Sequence, residues 1–394
     1  MSKLDELIRV FCPDGVEYKT LGEIATDIYR GFGIKREQVK KTGIPCVRYG
    51  EIYTTYGVWF DKCVSHTDKG LIATPKYFEH GDILFTITGE SVEDIAKSCA
   101  YTGHEKCLAG GDIVVLKHTQ DPKYLSYALS TLDARKQKSA GKVKSKVVHS
   151  SVPSIKAIRI PLPPLPVQQE IVRILDSFTE LTAELTAELT VELTARRKQY
   201  EYYRDELLTF GEDVPVFSLS EIATNCDRQR KPVTKGKREA GIYPYYGASG
   251  IVDYVADYTF EGDYLLISED GANLLARSTP IAFSISGKNW VNNHAHVLKF
   301  ETPELQKYVE IYLNSLDLSK YISGGAQPKL NQDNLNKIPI PLPSSGVKHI
   351  VDVLTHFDAL CNDLTSGLPA EIAARQKQYE YYRDKLLTFK ELEK

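Results

Sequence analysis

No run of about 18 apolar residues occurs in the 394-residue chain, so no stretch reads as a membrane-spanning helix. Its opening, MSKLDELIRVFC, carries acids where a secretory leader needs an apolar centre, and a cytoplasmic protein without membrane contact is expected. The 7 cysteines include no CxxC pair, which argues against a disulfide framework and against a thiolate zinc site. Cys99, His104 and Cys107 lack a fourth ligand at suitable spacing, so no metal is expected. Nor is there a GxxxxGK[ST] phosphate cradle, a D/N-P-P-Y/F tetrapeptide for adenine methylation, or a credible S-adenosylmethionine loop; RGFG at Arg30 has no acidic strand beside it. PDGVEYK, from Pro13 to Lys19, spells a PD…ExK nuclease pattern, but its carboxylates are too close in sequence to lie on adjacent strands. No catalytic residue is assigned. The net charge of −3 gives no overall pull toward a polyanion, so any such contact must come from charge segregated along the chain.

What is present is written twice. ARRKQYEYYRDELLTF at Ala195 returns as ARQKQYEYYRDKLLTF at Ala374, with 14 of 16 positions identical. IRIPLPPLPVQQEIVRILDSF at Ile158 parallels IPIPLPSSGVKHIVDVLTHF at Ile338, and GVEYKTLGEIAT at Gly15 parallels DVPVFSLSEIAT at Asp213. Between these landmarks the copies keep only a skeleton: FEHGDIL at Phe78 against FEGDYLL at Phe260, VLK at Val115 against VLK at Val297, and the amphipathic segments KYLSYALSTL and KYVEIYLNSL. Short β-rich runs punctuated by Gly and Pro predict mixed α and β in each copy.

From Val167 to Phe210 there is neither Gly nor Pro, which predicts a helix about 65 Å long at 1.5 Å per residue. Such a helix needs a partner for its apolar stripe, and the second copy, Val347 to Phe389, supplies one, with a kink or break expected at Gly367 and Pro369. LTAE-type tetrads place Leu181, Leu185, Leu189 and Leu193 four apart, continued by Tyr200, Tyr203 and Leu207. Leu360, Leu364, Leu368 and Ile372, then Tyr379 and Tyr382, repeat the pattern. These are the expected helix-pair contacts. Residues 167–192 carry six acids and one base, and 193–210 three acids and four bases; 347–371 carry four acids and one base, and 372–389 two acids and four bases. Each helix runs from acidic to basic, so antiparallel pairing is complementary at both ends. The predicted fold is α+β: two similar mixed α/β domains separated by two long antiparallel helices about an approximate twofold axis. The boundaries are 1–166 and 211–346 for the domains, and 167–210 and 347–394 for the helices.

Bases gather between the landmarks. RKQKSAGKVKSK, from Arg135 to Lys146, has six bases in twelve residues, and RQRKPVTKGKR, from Arg228 to Arg238, has six in eleven; both read as loops. Arg30, Lys35, Arg36, Lys40 and Lys41 form a third cluster at a position comparable to the second tract. Beside them lie RYGEIYTTYG, with Arg48 and Tyr49, and YPYYGASG, with Tyr245 and Tyr246. Lys142, Lys144, Lys146, Arg228, Arg230, Lys231, Lys237, Arg238 and Lys329 complete the candidate polyanion contacts. GGAQPKLN at Gly324 and AGKVKSKV at Ala140 are glycine loops without a specific fingerprint. His294 and His296 share one face of a probable strand and read as structural or ligand-contacting residues.

The paired IRIPLPPLP and IPIPLP exits, the QQEIVRIL helix start, the LTAE tetrads and both KQYEYYRD-LLTF endings resemble the specificity subunits of type I restriction-modification enzymes, most closely the subgroup called type IC, over essentially the whole chain. The resemblance implies two target-recognition domains, each reading one part of a split, asymmetric duplex sequence, with the helices as a spacer. It implies two methyltransferase subunits and, where present, two restriction subunits as partners. S-adenosylmethionine, ATP and magnesium are expected on those partners and no cofactor on this chain. Two rivals stay open at the level of sequence: a stand-alone methyltransferase or nuclease with duplicated DNA-binding domains, and a coiled-coil adaptor that binds no nucleic acid.

Overall fold

A computed structural model describes residues 2–324 and 327–393. Its principal helices are α1 (Lys3–Phe11), α2 (Pro122–Ser130), α3 (Leu132–Ser139), α4 (Leu165–Leu207), α5 (Pro303–Ser315), α6 (Val347–Asn362) and α7 (Leu368–Leu386). The chain divides into two compact units, Met1–Ala187 with Ala373–Lys394, and Glu188–Ile372, so α4 contributes to both. No helix among the described residues is long and apolar enough to cross a membrane.

In the first unit a five-stranded sheet runs in the order Asp27–Arg30, Ile113–Lys117, Ile83–Thr86, Ser98–Tyr101, Trp59–Phe60. Its strands are apolar on both faces for a visible reason. Val114, Leu116, Ile83 and Phe85 join one core with α2 and the start of α4, while the intervening Ile113, Val115 and Leu84 join another with Val47, Phe78 and Cys107. Side chains alternate across a strand, so a continuous apolar run is what a sheet covered on both sides requires. The second unit repeats this: Leu265, Ile267 and Leu298 face α5, and Leu266, Ala295 and Val297 face away from it.

The proline exits close each copy in the same manner. Tyr18–Thr20 pairs antiparallel with Arg159–Pro161, and Val216–Phe217 with Ile340–Pro341. The buried Tyr124 hydroxyl donates to the Pro161 carbonyl at 2.9 Å, and the Tyr308 hydroxyl to that of Pro341 at 2.5 Å. In the first unit residues near the end of the chain lie beside residues near its start: Val16 N–H donates to Lys390 O at 2.8 Å and Leu392 N–H to Val16 O at 3.0 Å. The matching stretch of the second unit, around Phe210 to Val214, is covalently continuous.

Helix pairing is antiparallel within each unit. In the first, Phe178 meets Tyr382 edge-on with ring centroids 6.4 Å apart, and Thr179 meets Tyr379 one turn away. In the second, Tyr203 stacks on Phe357 at 5.5 Å, and Leu207 packs into the α5–α6 core. Leu185, Leu189, Leu193, Tyr200, Leu360, Leu368 and Ile372 are half-buried.

The second long helix is not continuous. It breaks at Asp363–Gly367 between α6 and α7. The Asp363 carboxylate accepts from Ser366 Oγ at 2.6 Å and from the Thr365 amide and hydroxyl, and these bonds hold it well below the usual carboxylate range. A Cβ on Gly367 would stand 2.6 Å from the Ala359 carbonyl oxygen, so glycine is required where the chain re-enters α7, and Pro369 sits in the first turn, where no amide is needed. Leu364 falls in this turn and is 79 % exposed, so it does not pack as expected. Leu181 and Tyr382 are exposed on their outer sides while lining a groove with Leu185 and Gln378.

The basic tract at Arg135 also departs from expectation. Thr131 Oγ1 accepts from the Ala134 amide and starts α3, so Arg135, Lys136 and Lys138 are helical and only Lys142 to Lys146 lie in a loop.

Candidate nucleic-acid interface

The strand ends of each copy gather the same four loops through matching backbone hydrogen bonds. In the first copy Ile87 N–H donates to Asp112 O at 3.0 Å, Ser150 N–H to Ile87 O at 2.9 Å, and Gly110 N–H to Val47 O at 2.9 Å. In the second, Glu269 N–H donates to His294 O at 2.9 Å, Leu330 N–H to Glu269 O at 2.8 Å, and Asn292 N–H to Tyr246 O at 3.1 Å. One frame therefore presents two different sets of side chains.

On the first frame Arg30 is exposed and pairs with Asp112 at 2.8 Å, while its Nε donates to Gly111 O. Lys35, Arg36 and Lys41 are exposed around the turn Arg36–Gln38, and Lys40 pairs with Asp68. Arg48, half-buried, precedes the short helix that begins at exposed Tyr49. Lys144 and Lys146 are exposed and Lys142 half-buried in the loop before Val148, which bridges back to Gly89.

On the second frame Arg228, Lys231 and Lys237 are exposed. Arg230 is not: its side chain is 15 % exposed and pairs with Asp227 at 3.2 Å and Glu269 at 2.6 Å, and it donates to Ala295 O at 2.8 Å. Tyr245 is 1 % exposed, with its hydroxyl accepting from the Val233 amide at 3.0 Å, so it cannot reach a base edge. Arg238 lies over the Tyr245 ring at 4.3 Å and pairs with Asp253 at 3.0 Å, so it secures the hairpin Ala240–Val255 from one side. Tyr246 is half-buried against Phe283. Lys329 pairs with Glu269 at 3.1 Å but remains half exposed; Gly325 and Ala326 of its glycine loop lie outside the described residues.

Sequence reasoning named His296 as structural or ligand-contacting but missed the partners with which it ties the second frame together. Buried His296 faces Asp227 Oδ2 with Nδ1 at 2.6 Å and Leu330 O with Nε2 at 2.8 Å, and Arg230 and Lys329 supply cations to Asp227 and Glu269. Burial opposes the charge on both carboxylates, yet the His296 bond to Asp227 and the Arg230 bond to Glu269 outweigh it and hold both below their usual range. Asp227, Glu269 and His296 could together face a metal ion, but Arg230 and Lys329 already balance the carboxylates, so the cluster is an ion-paired brace. Aligning VLK with VLK puts Val114 opposite His296. A polar residue at a strand position that is apolar in the other copy is the signal that would have found it. Exposed His294, oriented by Asp270 at 2.9 Å, stands at the rim of the same frame. Cys99 and Cys107 are buried, and His104 stacks on His80 at 5.1 Å, away from any ligand set.

The type I restriction modification DNA specificity domain matches residues 13–195 and again 211–374. The chain belongs to the type I restriction-modification specificity family. Across 295 residues it is 36 % identical to the EcoR124I/EcoR124II specificity subunit of Escherichia coli, covering 68 % of this chain and 70 % of that one. To a Haemophilus influenzae chain described as a type I restriction enzyme specificity subunit it is 40 % identical over 194 residues, spanning 48 % of this chain and about half, 50 %, of that relative. Among solved structures, one described as showing complex assembly and conformational transition of the type I system aligns with a TM-score of 0.66 at 15 % identity, over 95 % of this chain and 98 % of that one. The HsdS subunit of Thermoanaerobacter tengcongensis aligns with a TM-score of 0.52 at 16 % identity, over 96 % of each chain. Both likenesses concern the fold. Specificity subunits are the recognition components of these systems, not the catalytic ones, and the doubled frame is what such a component presents.

Proposed function

We propose that this chain reads a bipartite, asymmetric duplex sequence, one part with each frame, and positions two methyltransferase subunits and, where present, two restriction subunits on it. S-adenosylmethionine, ATP and magnesium then act on those partners, in the cytoplasm. The observation that supports this reading most is the identical loop frame with divergent side chains: exposed Arg30, Lys35, Arg36 and Lys41 in one copy, exposed Arg228, Lys231 and Lys237 in the other. Phosphate contacts from these cations fix register, and side chains between them read base edges. Modification of an adenine inside a duplex then calls for base flipping by the partner.

Binding of labelled duplex by the complex with its methyltransferase, measured against salt concentration, tests the reading. It predicts a linear fall of log affinity with log salt, at about 0.9 per neutralised phosphate. Turnover by the isolated chain, given S-adenosylmethionine and DNA alone, would favour a self-contained enzyme instead. Salt-independent or absent binding would favour an adaptor.

A further inference from the structure

A cavity of about 260 Å³ opens in the first unit between α2–α3, the segment around Ser98, and α7. Four cations line it: Lys97, Arg135, Lys138 and Arg383. Two of them are buried, Lys138 at 6 % exposure and Arg383 at 3 %. The Lys138 ammonium donates to Ser98 Oγ at 3.0 Å and Leu129 O at 2.8 Å and lies 5.7 Å from the Phe85 ring centre. Among the described residues no carboxylate lies within ion-pair distance of it. Arg383 has the Asp384 carboxylate at 2.6 Å and the Tyr379 ring at 5.9 Å. The two lining carboxylates, Glu93 and Asp94, are exposed, and Glu93 is held by Ser91 Oγ at 2.6 Å. Arg135 reaches Glu380 at 3.3 Å, and Lys97 donates to Tyr53 O at 3.1 Å.

A buried cation is costly unless an anion or a full set of acceptors compensates it. Here two buried cations face one accessible void with a single carboxylate between them. Burial, and then Arg135, hold the Lys138 amine down to about 7. An arriving dianion would restore its charge and accept from it, from Arg135 on the same helix, and from Arg383 across the cavity.

We propose that this cavity is a binding site for a small phosphate-class dianion, which ties α3 to α7. Duplex DNA is the wrong shape for it, because the Lys138 ammonium lies beneath the surface in a space that admits a phosphate group but not a double helix. The site is therefore separate from the basic loops, and its occupant is inorganic phosphate or a phosphomonoester.

Calorimetric titration of the full chain with inorganic phosphate, and separately with a nucleoside monophosphate, at constant ionic strength in chloride, tests the assignment. One saturable site is expected, with a proton taken up near pH 7.5, so that the heat depends on the ionisation enthalpy of the buffer. Lys138→Met should weaken binding by about tenfold or more, as loss of a charge-assisted bond does. Arg228→Ala with Lys231→Ala should leave it unchanged. Should Lys138→Met destabilise the chain, Arg135→Gln serves as the second variant, with the same loss expected. Tighter binding of the nucleoside monophosphate would identify a phosphomonoester as the occupant; equal binding would identify the phosphate group alone. No saturable binding by either probe, undiminished binding by Lys138→Met, or stoichiometric displacement by duplex DNA would overturn the proposal.

Discussion

Thr179 on α4 and Tyr379 on α7 share a hydrogen bond of 2.9 Å although 200 residues separate them. The same Thr179 hydroxyl meets Tyr127 of α2 at 3.0 Å, so one side chain links both helices to the recognition fold of the first unit. Thr179→Val keeps the shape and removes the hydroxyl, so half-buried Tyr379 loses its bond and buried Tyr127 keeps only its bond to Asp176. A loss of about 1–3 kcal/mol is expected from urea unfolding, against about 0.5–1.5 kcal/mol for Tyr379→Phe, which removes only one bond.

Arg228 and Arg230 stand two residues apart and should behave differently. Arg228→Ala with Lys231→Ala removes exposed cations, so the salt dependence of duplex binding should flatten by about two units of slope, with stability little changed. Arg230→Ala opens the buried brace with Asp227, Glu269 and His296, and a stability loss of about 3 kcal/mol or more is expected. An unchanged salt slope in the first variant would exclude that tract from the interface.

The buried Lys138 amine gives a pH signature. Its folded-state value near 7 lies below the ordinary lysine value, so between pH 7 and 9 the unfolded chain keeps a proton that the folded chain has released. Stability therefore rises with pH across that window, by an amount approaching about 1.4 kcal/mol per unit, and is unaffected by this group below 7. The charged groups facing it are Arg135, Lys97 and Arg383, with Glu93 and Asp94 at the exposed edge. Urea midpoints in a phosphate-free series should show the rise in the parent chain and a flatter profile in Lys138→Met.

The LTAE tetrads lie inside α4, a single unbroken helix of 43 residues. Removing one tetrad takes out about 6 Å of helix, close to two base-pair rises. Deletion of one LTAE should shorten the unread gap between the two half-sites by one or two base pairs and leave both half-sites as they were. Methylome sequencing that returned the original gap would contradict it.

The duplication, the long helix and the proline exits were legible because each depends on local signals: repeated strings, absent helix breakers, capping residues. The break near Gly367 was legible for the same reason. What could not be read was which charges find partners. Arg230 and Arg228 are equivalent in composition, but the acid that pairs with Arg230 most closely, Glu269, lies 39 residues away and is brought in by strand pairing. Tyr245 packs against Trp290 and Arg238 and Tyr246 against Phe283, and nothing local says which of the two neighbours is covered. Lys138 sits in a tract that reads as a solvated loop, and its burial follows from α2, Phe85 and α7 converging on one helix face. His296 was legible as a structural or ligand-contacting residue, but its carboxylate partners were not, since their pairing is a tertiary fact.

Co-expression with the methyltransferase partner, followed by genome-wide mapping of modified adenines, tests the central claim most directly. The account predicts one split, asymmetric motif whose two halves change independently when the loops of one frame or the other are exchanged. A continuous motif, or modification of the same sites by the partner alone, would contradict it.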